Sequence, residues 1–430
     1  MNCLWLTLAD PDPPTNGQLL YSKGLIEAAV QAGASLHVIG VARPENARVS
    51  TMNSGLVWQL HERQPCPPWR RMLSGLPEIA LRASSPIAHA AVEQALERDW
   101  DAIVFDSICS GWALGAVLRH RRRSRRPPRL VHIAHNHEVT VARRIADAAR
   151  GIRRVVKELD AAKVAWLENR LIHEVDLLTS NTPEDCQTFA AKAGGRPVVF
   201  LPPGYAGPRV SKRTIDATVS RRAIVVGSFD WQPKRISLER FLDVAASRFE
   251  EAGIDLQIVG AAEADYLAGL RRRFPSVTFT GPVDDVRPYM ASARLALVPD
   301  LLGGFKLKGL DYVFNRLPIL AMRHALPAMP LEEGASIGLF DSHEALAEGV
   351  VALIDDLALL NARQEQAFIA CADGFDWDRL GRHLMASIRA VEPRRHGDRL
   401  AHPPVHSEAS RPEIWRRMSA GSPGGRKMKL

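Results

Sequence analysis

The sequence predicts an α/β protein built from two successive parallel-sheet domains. Three observations predict it. Short apolar runs alternate with longer amphipathic ones, so strand, loop and helix repeat in order. The chain has 430 residues, too many for one ordinary core and enough for two. The alternation also breaks once, at residues 201–204 (LPPG), and then starts again. Hydrophobic residues make up 46% and charged residues 24%, a globular composition.

In the first domain an apolar strand at residues 4–8 runs into a loop over 9–17, then a helix over 18–31. The pair Ala32-Gly33 ends that helix, and residues 36–41 make the next strand. Further strands are expected at 56–60, 102–105, 130–134, 177–180 and 198–201, with helices at 87–97, 111–120, 155–173 and 183–191. Residues 205–220 are polar and poorly periodic, as a linker would be. The second series places strands at 223–226, 256–259, 277–280, 295–299 and 318–322, and helices at 236–251, 262–274, 285–291 and 306–315. Residues 375–390 have helical apolar spacing, and the chain beyond Glu392 is rich in Pro, Arg, Gly and Ser and is expected to be disordered. The boundaries that follow are 1–205, 206–374, 375–392 for the last helix, and 393–430 for a basic tail.

No apolar run of about 18 residues appears, so no transmembrane helix is expected. The N-terminus lacks a basic segment and a long apolar stretch, so it is expected to be a first strand rather than a secretory signal. The five cysteines, Cys3, Cys66, Cys109, Cys186 and Cys371, are widely spaced, which argues against a disulfide framework or a zinc site and for a reducing, cytoplasmic compartment. The formal charge of +8 is clustered: in residues 119–129 (RHRRRSRRPPR), in a second set from Arg143 to Lys157, and in the tail. Such clusters attract anions, whether nucleic acid, anionic lipid or phosphorylated substrates; the plainer reading is a solvated Arg-rich loop.

An open parallel sheet binds ligands beyond the carboxyl ends of its strands, so the loops after strands are where to look. The first is residues 9–17 (ADPDPPTNG), where Gly17 opens a helix whose N-terminus favours a phosphate; an ordinary strand-to-helix loop reads the same way. The second is residues 131–138 (VHIAHNHE). His135 and His137 would share a face of a continued strand as a metal pair, but no third ligand is evident. Polar contacts to a sugar acceptor, or one His supporting a reaction centre, fit better; the bland alternative is Asn136 capping a helix beside surface histidines. The third is residues 223–235, where Gly227 and Ser228 allow close backbone approach, Lys234 or Arg235 could reach a diphosphate, and Trp231 packs or stacks. The fourth is residues 299–320. Gly303-Gly304 makes a tight loop, Lys306 lies in the first turn of the next helix, and Asp311 can accept both hydroxyls of a ribose.

These motifs together resemble the C-terminal half of the retaining GT-B glycosyltransferases. Residues 227–234 (GSFDWQPK) are similar to the family's GSMDWxPN opening, and residues 279–289 (FTGPVDDVRPY) to its FxGxVxDxxxY segment. Residues 304–311 (GFKLKGLD), then 317–320 (LPIL), look like GTRLKILEA and GxPVV, and residues 375–377 (FDW) look like the FxW that opens the family's last helix. The first half resembles the family less specifically, through the Gly17 loop and residues 134–138 (AHNHE). Where many relatives have a Glu, seven residues and a second Glu, this chain has Gly303 and Asp311, and Arg316 stands where the family usually has Gly.

The resemblance implies two Rossmann-like domains facing a cleft, with the C-terminal helix crossing back to the first domain. It implies a nucleotide-sugar donor on the second domain, a saccharide, lipid-linked or phosphorylated acceptor on the first, and transfer with retention. Asp311 would hold the donor ribose. Lys306, Lys308 and Lys234 would hold the diphosphate, with Gly17, Gly227, Ser228, Gly304, Phe305 and Leu307 around the donor. His135 would sit near the anomeric carbon, with Asn136 and Glu138 toward the acceptor. No metal or other cofactor is expected, because basic groups and helix dipoles neutralise the leaving diphosphate. The basic clusters of the first domain are expected to meet a phosphorylated acceptor or an anionic membrane at its inner face; without a recognised nucleic-acid module, nucleic acid is not the expected partner. The alternatives in other classes are a non-catalytic GT-B scaffold and a nucleotide-sugar epimerase.

Overall fold

A computed structural model describes residues 1–43, 55–63, 74–230, 232–301 and 305–394. The chain divides into two compact units, Met1–Gly204 joined by the segment from Asp376 on, and Tyr205–Phe375.

Unit 1 holds a sheet of seven parallel strands in the order β3-β2-β1-β4-β5-β6-β7. They are β1 (Asn2–Ala9), β2 (Ser35–Val41), β3 (Leu56–His61), β4 (Ala102–Asp106), β5 (Arg129–Ala134), β6 (Leu177–Ser180) and β7 (Val198–Phe200). The helices are α1 (Gly17–Gln31), α2 (Glu78–Leu81), α3 (Pro86–Ala95), α4 (Leu114–Arg123), α5 (Glu138–Ala148), α6 (Ile152–Glu174) and α7 (Pro183–Lys192), with a tight 3₁₀ segment at Ile108–Ala113. Side chains alternate across the strands. Trp5, Val104, Val131 and Ile133 face one core, and Leu4, Leu6, Phe105 and Leu130 the other. Helix starts follow capping chemistry: Ser85 and Thr182 accept from the amides of Ala88 and Asp185, each just before a proline that fits the first helical position.

Unit 2 holds six parallel strands in the order β10-β9-β8-β11-β12-β13. They are β8 (Arg222–Val226), β9 (Asp255–Val259), β10 (Thr278–Phe279), β11 (Leu295–Val298), β12 (Ile319–Met322) and β13 (Gly338–Phe340). The helices are α8 (Gln232–Glu251), α9 (Ala264–Arg273), α10 (Arg287–Ala291), α11 (Leu307–Phe314), α12 (His343–Leu353) and α13 (Leu357–Cys371). The last described helix, α14 (Trp377–Ala390), returns to unit 1, where Leu380, Leu384, Met385 and Ile388 complete the core under α1. Gly381 permits that approach, because a Cβ there would lie 2.2 Å from the carbonyl oxygen of Ala28.

Several expectations change. The expected linker at 205–220 is fastened to unit 2. Arg209 stacks 4.0 Å over Phe314, Arg213 donates to the carbonyls of Ala291 and Ala293, and the Ile215 amide donates to Asn361. Arg209 and Arg213 serve carbonyls of unit 2, while most of the stretch stays exposed. Helices at Glu138–Ala148, His343–Leu353 and Leu357–Cys371, and the strand at Gly338–Phe340, were not expected. The helix expected at 111–120 is a 3₁₀ segment followed by α4, and the strand expected at 277–280 shortens to β10. Phe375 precedes the last helix at φ 60°, and Asp376 caps it. Cys66, Trp231 and the tail beyond Arg394 lie outside the described residues.

Candidate functional site

In both sheets the order reverses at the first strand, between β1 and β4 in unit 1 and between β8 and β11 in unit 2. Chains leaving those neighbouring strands diverge to opposite faces and leave a crevice at the carboxyl ends. Both crevices are lined by charged residues.

In unit 2, β11 ends in Pro299-Asp300 and the chain enters α11 through Lys306. Lys306 is the N-cap in extended backbone, φ −106° and ψ 100°, one residue before the expected first turn, and no side chain caps the helix. The Gly309 amide already donates to the Lys306 carbonyl at 2.9 Å, and the amides before it have no side-chain cap. Asp300 is buried and ion-paired with Lys308. Burial pushes its carboxyl up, but Lys308, then Lys306, the Lys308 hydrogen bond and Lys234 bring it below the ordinary value. Lys306 is also buried, and desolvation holds its ammonium down at about 8 despite Asp300, with Lys308 and Lys234 adding repulsion. Lys234 is lowered by the same burial and by Lys308. Three lysines thus act on the buried Asp300, and Lys234 also feels the exposed Asp230.

Tyr312 fixes α11 against the sheet: its hydroxyl accepts from the Val226 amide at 2.7 Å, at the last residue of β8. Asp311, on the same helix, is hydrogen-bonded by Tyr205 and pushed up to about 6 by burial. The Asn315 side chain donates to the Asp311 carbonyl at 2.8 Å and to the Tyr205 hydroxyl at 3.4 Å. In the β8 loop, Ser228 donates to Asp230 at 2.6 Å. The tight approach is at Gly260, φ 134°, where a Cβ would fall 1.9 Å from the Gly227 carbonyl oxygen. Arg235 does not turn to a diphosphate. It donates to the Phe229 carbonyl, pairs with Glu263 and stacks on Tyr266. Phe305 packs 5.7 Å from Phe375, and Leu307 is the first residue of α11. Gly303 and Gly304 lie outside the described residues.

In unit 1, β4 ends in Asp106, fully buried. Asp106 accepts from Trp5 Nε1 at 3.0 Å and meets His135 Nε2 at 2.7 Å. Burial raises its carboxyl, and the bonds to His135, Trp5 and Ser22 outweigh that, so it stays ionised. An ionised Asp106 requires Nε2 of His135 to carry a proton, which leaves Nδ1 for another partner. That Nδ1 is buried and has no hydrogen-bond partner among the described residues. The Tyr21 ring packs edge-on to His135, 5.0 Å between centroids, and Asn181 donates to the His135 carbonyl at 2.9 Å. The next residue, Ser107, sits at φ 68°, a strained conformation for a side-chain-bearing residue and a frequent mark of functional sites. Gly17 is the first residue of α1, and Asn16 before it already caps the Leu19 amide at 3.0 Å.

The other histidines are not surface groups. His132 is buried, bonded to the Phe105 carbonyl and held neutral at about 4 by desolvation. His137 is buried and held at about 4 by desolvation, Lys192 and Arg143. Its Nδ1 meets Thr140 at 2.6 Å and its Nε2 accepts from Lys192 at 3.2 Å. A neutral His137 makes no ion pair with Glu168, 3.3 Å away. His137 rather than Asn136 is the N-cap of α5, and Asn136 donates to Glu138 at 3.0 Å. The Glu138 carboxyl is raised by burial. His135 and His137 thus turn to separate partners, and among the described residues no group of three or more His, Cys, Asp or Glu is disposed to hold a metal ion. Sequence reasoning missed Asp106, Trp5, Tyr21, Tyr205 and Asp300. Asp106 and Asp300 carried a signal, a carboxylate at the end of an apolar strand; the aromatic partners carried none.

Residues 220–356 match the family model "Glycosyl transferases group 1". No curated protein matches the chain by sequence. Among solved structures, sucrose-phosphate synthase from Thermosynechococcus elongatus is 16% identical, with a TM-score of 0.66 over 90% of this chain and 98% of that one. WaaG, a glycosyltransferase involved in lipopolysaccharide biosynthesis, is 18% identical, with a TM-score of 0.63 over 90% of this chain and 100% of that one. Anabaena HepE, in complex with UDP and glucose, is 16% identical, with a TM-score of 0.60 over 90% of this chain and 99% of that one. Residues 220–356 thus carry the pattern of a group 1 glycosyl transferase domain, and the likeness to these solved structures shows their GT-B fold.

Proposed function

We propose that the chain transfers a sugar from a nucleoside diphosphate sugar to an acceptor hydroxyl with retention at the anomeric carbon. The observation that carries this reading is the set of Lys234, Lys306 and Lys308 around the buried carboxylate of Asp300, beside the uncapped start of α11. Three ammonium groups and one buried carboxylate leave an excess of positive charge at the switch point of a group 1 domain, which suits a diphosphate. Asp311, lower on the same helix, would accept the ribose hydroxyls. The nucleotide seen on HepE, UDP, has both parts.

In the transfer step the bond from the anomeric carbon to the diphosphate oxygen breaks, and the lysines and helix N-terminus stabilise the charge on the leaving oxygen. The acceptor oxygen bonds to the anomeric carbon on the same face, and its proton passes to the leaving diphosphate. No protein nucleophile and no metal enter. His135, through its Nδ1, would orient a sugar hydroxyl, and Asn136 and Glu138 would lie toward a saccharide, lipid-linked or phosphorylated acceptor. Gly17, Gly227 and Ser228 would line the donor. Calorimetry with a panel of nucleoside diphosphate sugars, then assays of transfer or donor hydrolysis, tests this. We expect binding that Asp311→Ala weakens about tenfold or more, the loss of hydrogen bonds to a charged group. Binding without turnover would favour a scaffold; no binding of any nucleotide sugar would end the proposal.

A further inference from the structure

We propose that the first turns of α6, with the adjoining end of α5, form a docking surface for an anionic lipid bilayer. The helix has two apolar faces. Ala161, Val164, Leu167, Leu171 and Ile172 are buried in unit 1. Ile152, Val155, Val156, Leu159 and Trp166 are exposed, Ile152 to 78% and Leu159 to 61%. Their spacing of three, four, seven and fourteen residues from Ile152 puts them on one stripe, at roughly 100° of turn per residue, turned away from the buried face. Ile145 at the end of α5 is exposed beside them in sequence. Helical spacing of large apolar side chains that no described residue covers calls for an external apolar phase.

The charges beside this stripe select the phase. Arg143 and Arg144 on α5, Arg150 in the connection and Arg153 at the start of α6 are exposed, and none forms an ion pair with a described residue. Arg170 stacks 5.3 Å from the centre of the exposed Trp166 ring, the pairing of an amphipathic aromatic with a cation that suits a headgroup layer. An apolar stripe flanked by unpaired cations is the pattern of a helix lying in the interface of an anionic membrane. A second copy of the chain fits poorly, because a two-fold contact would bring these arginines against their equivalents. Nucleic acid would leave the apolar stripe uncovered. The cluster at 119–129 belongs less to this surface: Arg121 is buried against Asp176, Arg119 pairs with Glu93, and Arg129 donates to the Val391 carbonyl.

The inference stands apart from the sugar-transfer reading, and its test reads lipid binding instead of turnover. The full chain is sedimented with phosphatidylcholine vesicles, with and without phosphatidylglycerol. Binding is expected only with phosphatidylglycerol and should decrease as salt is added. The combined substitution Ile152→Asp, Val156→Asp, Leu159→Asp should lower the partition coefficient about tenfold or more while the melting temperature holds, since all three side chains are exposed. Arg143→Glu with Arg144→Glu should lower it too. Equal binding by all variants, or no binding of the unmodified chain to phosphatidylglycerol vesicles, overturns the proposal. So does a dimer in solution that the triple substitution dissociates while lipid binding is absent.

Discussion

At Asp106 one buried carboxylate sets the chemistry of a neighbour. Trp5 and Ser22 help keep it ionised, and it then fixes a proton on His135 Nε2 and orients the ring. Asp106→Asn removes that constraint with little change of shape. Turnover should drop about 100-fold with nucleotide affinity nearly unchanged, measured by steady-state kinetics beside calorimetry; a loss confined to stability would reduce Asp106 to a packing residue. Asp311 and Lys306 make a second residue-scale prediction. Asp311 accepts ribose hydroxyls only as a carboxylate, so nucleotide affinity should decrease as pH falls through about 6. Lys306 attracts a diphosphate only as ammonium, so affinity should also decrease as pH rises through about 8. The expected profile is a bell between these values, with proton uptake on binding near the upper one. Calorimetry of UDP from pH 5 to 9, in buffers of different ionisation enthalpy, would read both; a flat profile would remove these two groups from the site.

At the scale of elements, close approach decides the packing. The contact of α1 with α14 runs through Gly381, and Gly381→Ala places a Cβ 2.2 Å from the Ala28 carbonyl oxygen. The helices must part, at a cost of about 1–3 kcal/mol in chemical denaturation. The turn after α11 shows the opposite device. Arg316 holds φ 57°, the left-handed region that usually takes glycine, because its guanidinium donates to the carbonyls of Val210 and Ser211, pairs with Glu365 and stacks 3.6 Å over Phe368. Arg316→Ala keeps the strain and strands those carbonyls. Arg316→Gly strands them as well but relieves the strain, so it should be the more stable by about 1 kcal/mol. Equal denaturation midpoints would show that the contacts do not offset a strained backbone.

At the scale of the whole molecule, unit 1 is discontinuous in sequence, and its core waits for the last helix. Leu384 is fully buried in that core, so Leu384→Ala should cost about 2–5 kcal/mol. Ending the chain after Phe375 should leave the apolar face over α1 open and the product aggregated, whereas ending it after Arg394 should leave a soluble, cooperatively melting protein. Scattering and thermal melts of the two truncations check this, and a soluble, native-like shorter product would refute it. Among the described residues no helix is long and apolar enough to cross a membrane.

The periodicity of apolar residues by itself determined two parallel-sheet units, most of their strands and the existence of the last helix, because burial on both faces of a sheet leaves a local pattern of short apolar runs. The return of that helix to unit 1 was implied only by the family resemblance. It also determined where to look: Lys234, Lys306, Lys308 and Asp311 were legible as residues after strands and at a helix start, and His135 as part of a polar cluster. Helices such as Leu357–Cys371 escaped because polar residues interrupt their buried face: Arg363 and Gln364 are themselves buried. The stretch at 205–220 looked like a linker because its arginines find their carbonyl partners far along the chain. Only the tertiary structure decided that Asp106 pairs with His135, that Tyr205 holds Asp311, and that Asp300 sits among the lysines. Those contacts join residues 29, 106 and 6 or more positions apart, and protonation responds to what packs nearby in space. Burial moves Lys306 and Asp311 toward neutrality, and no local pattern of residues reports how deeply a side chain will be buried.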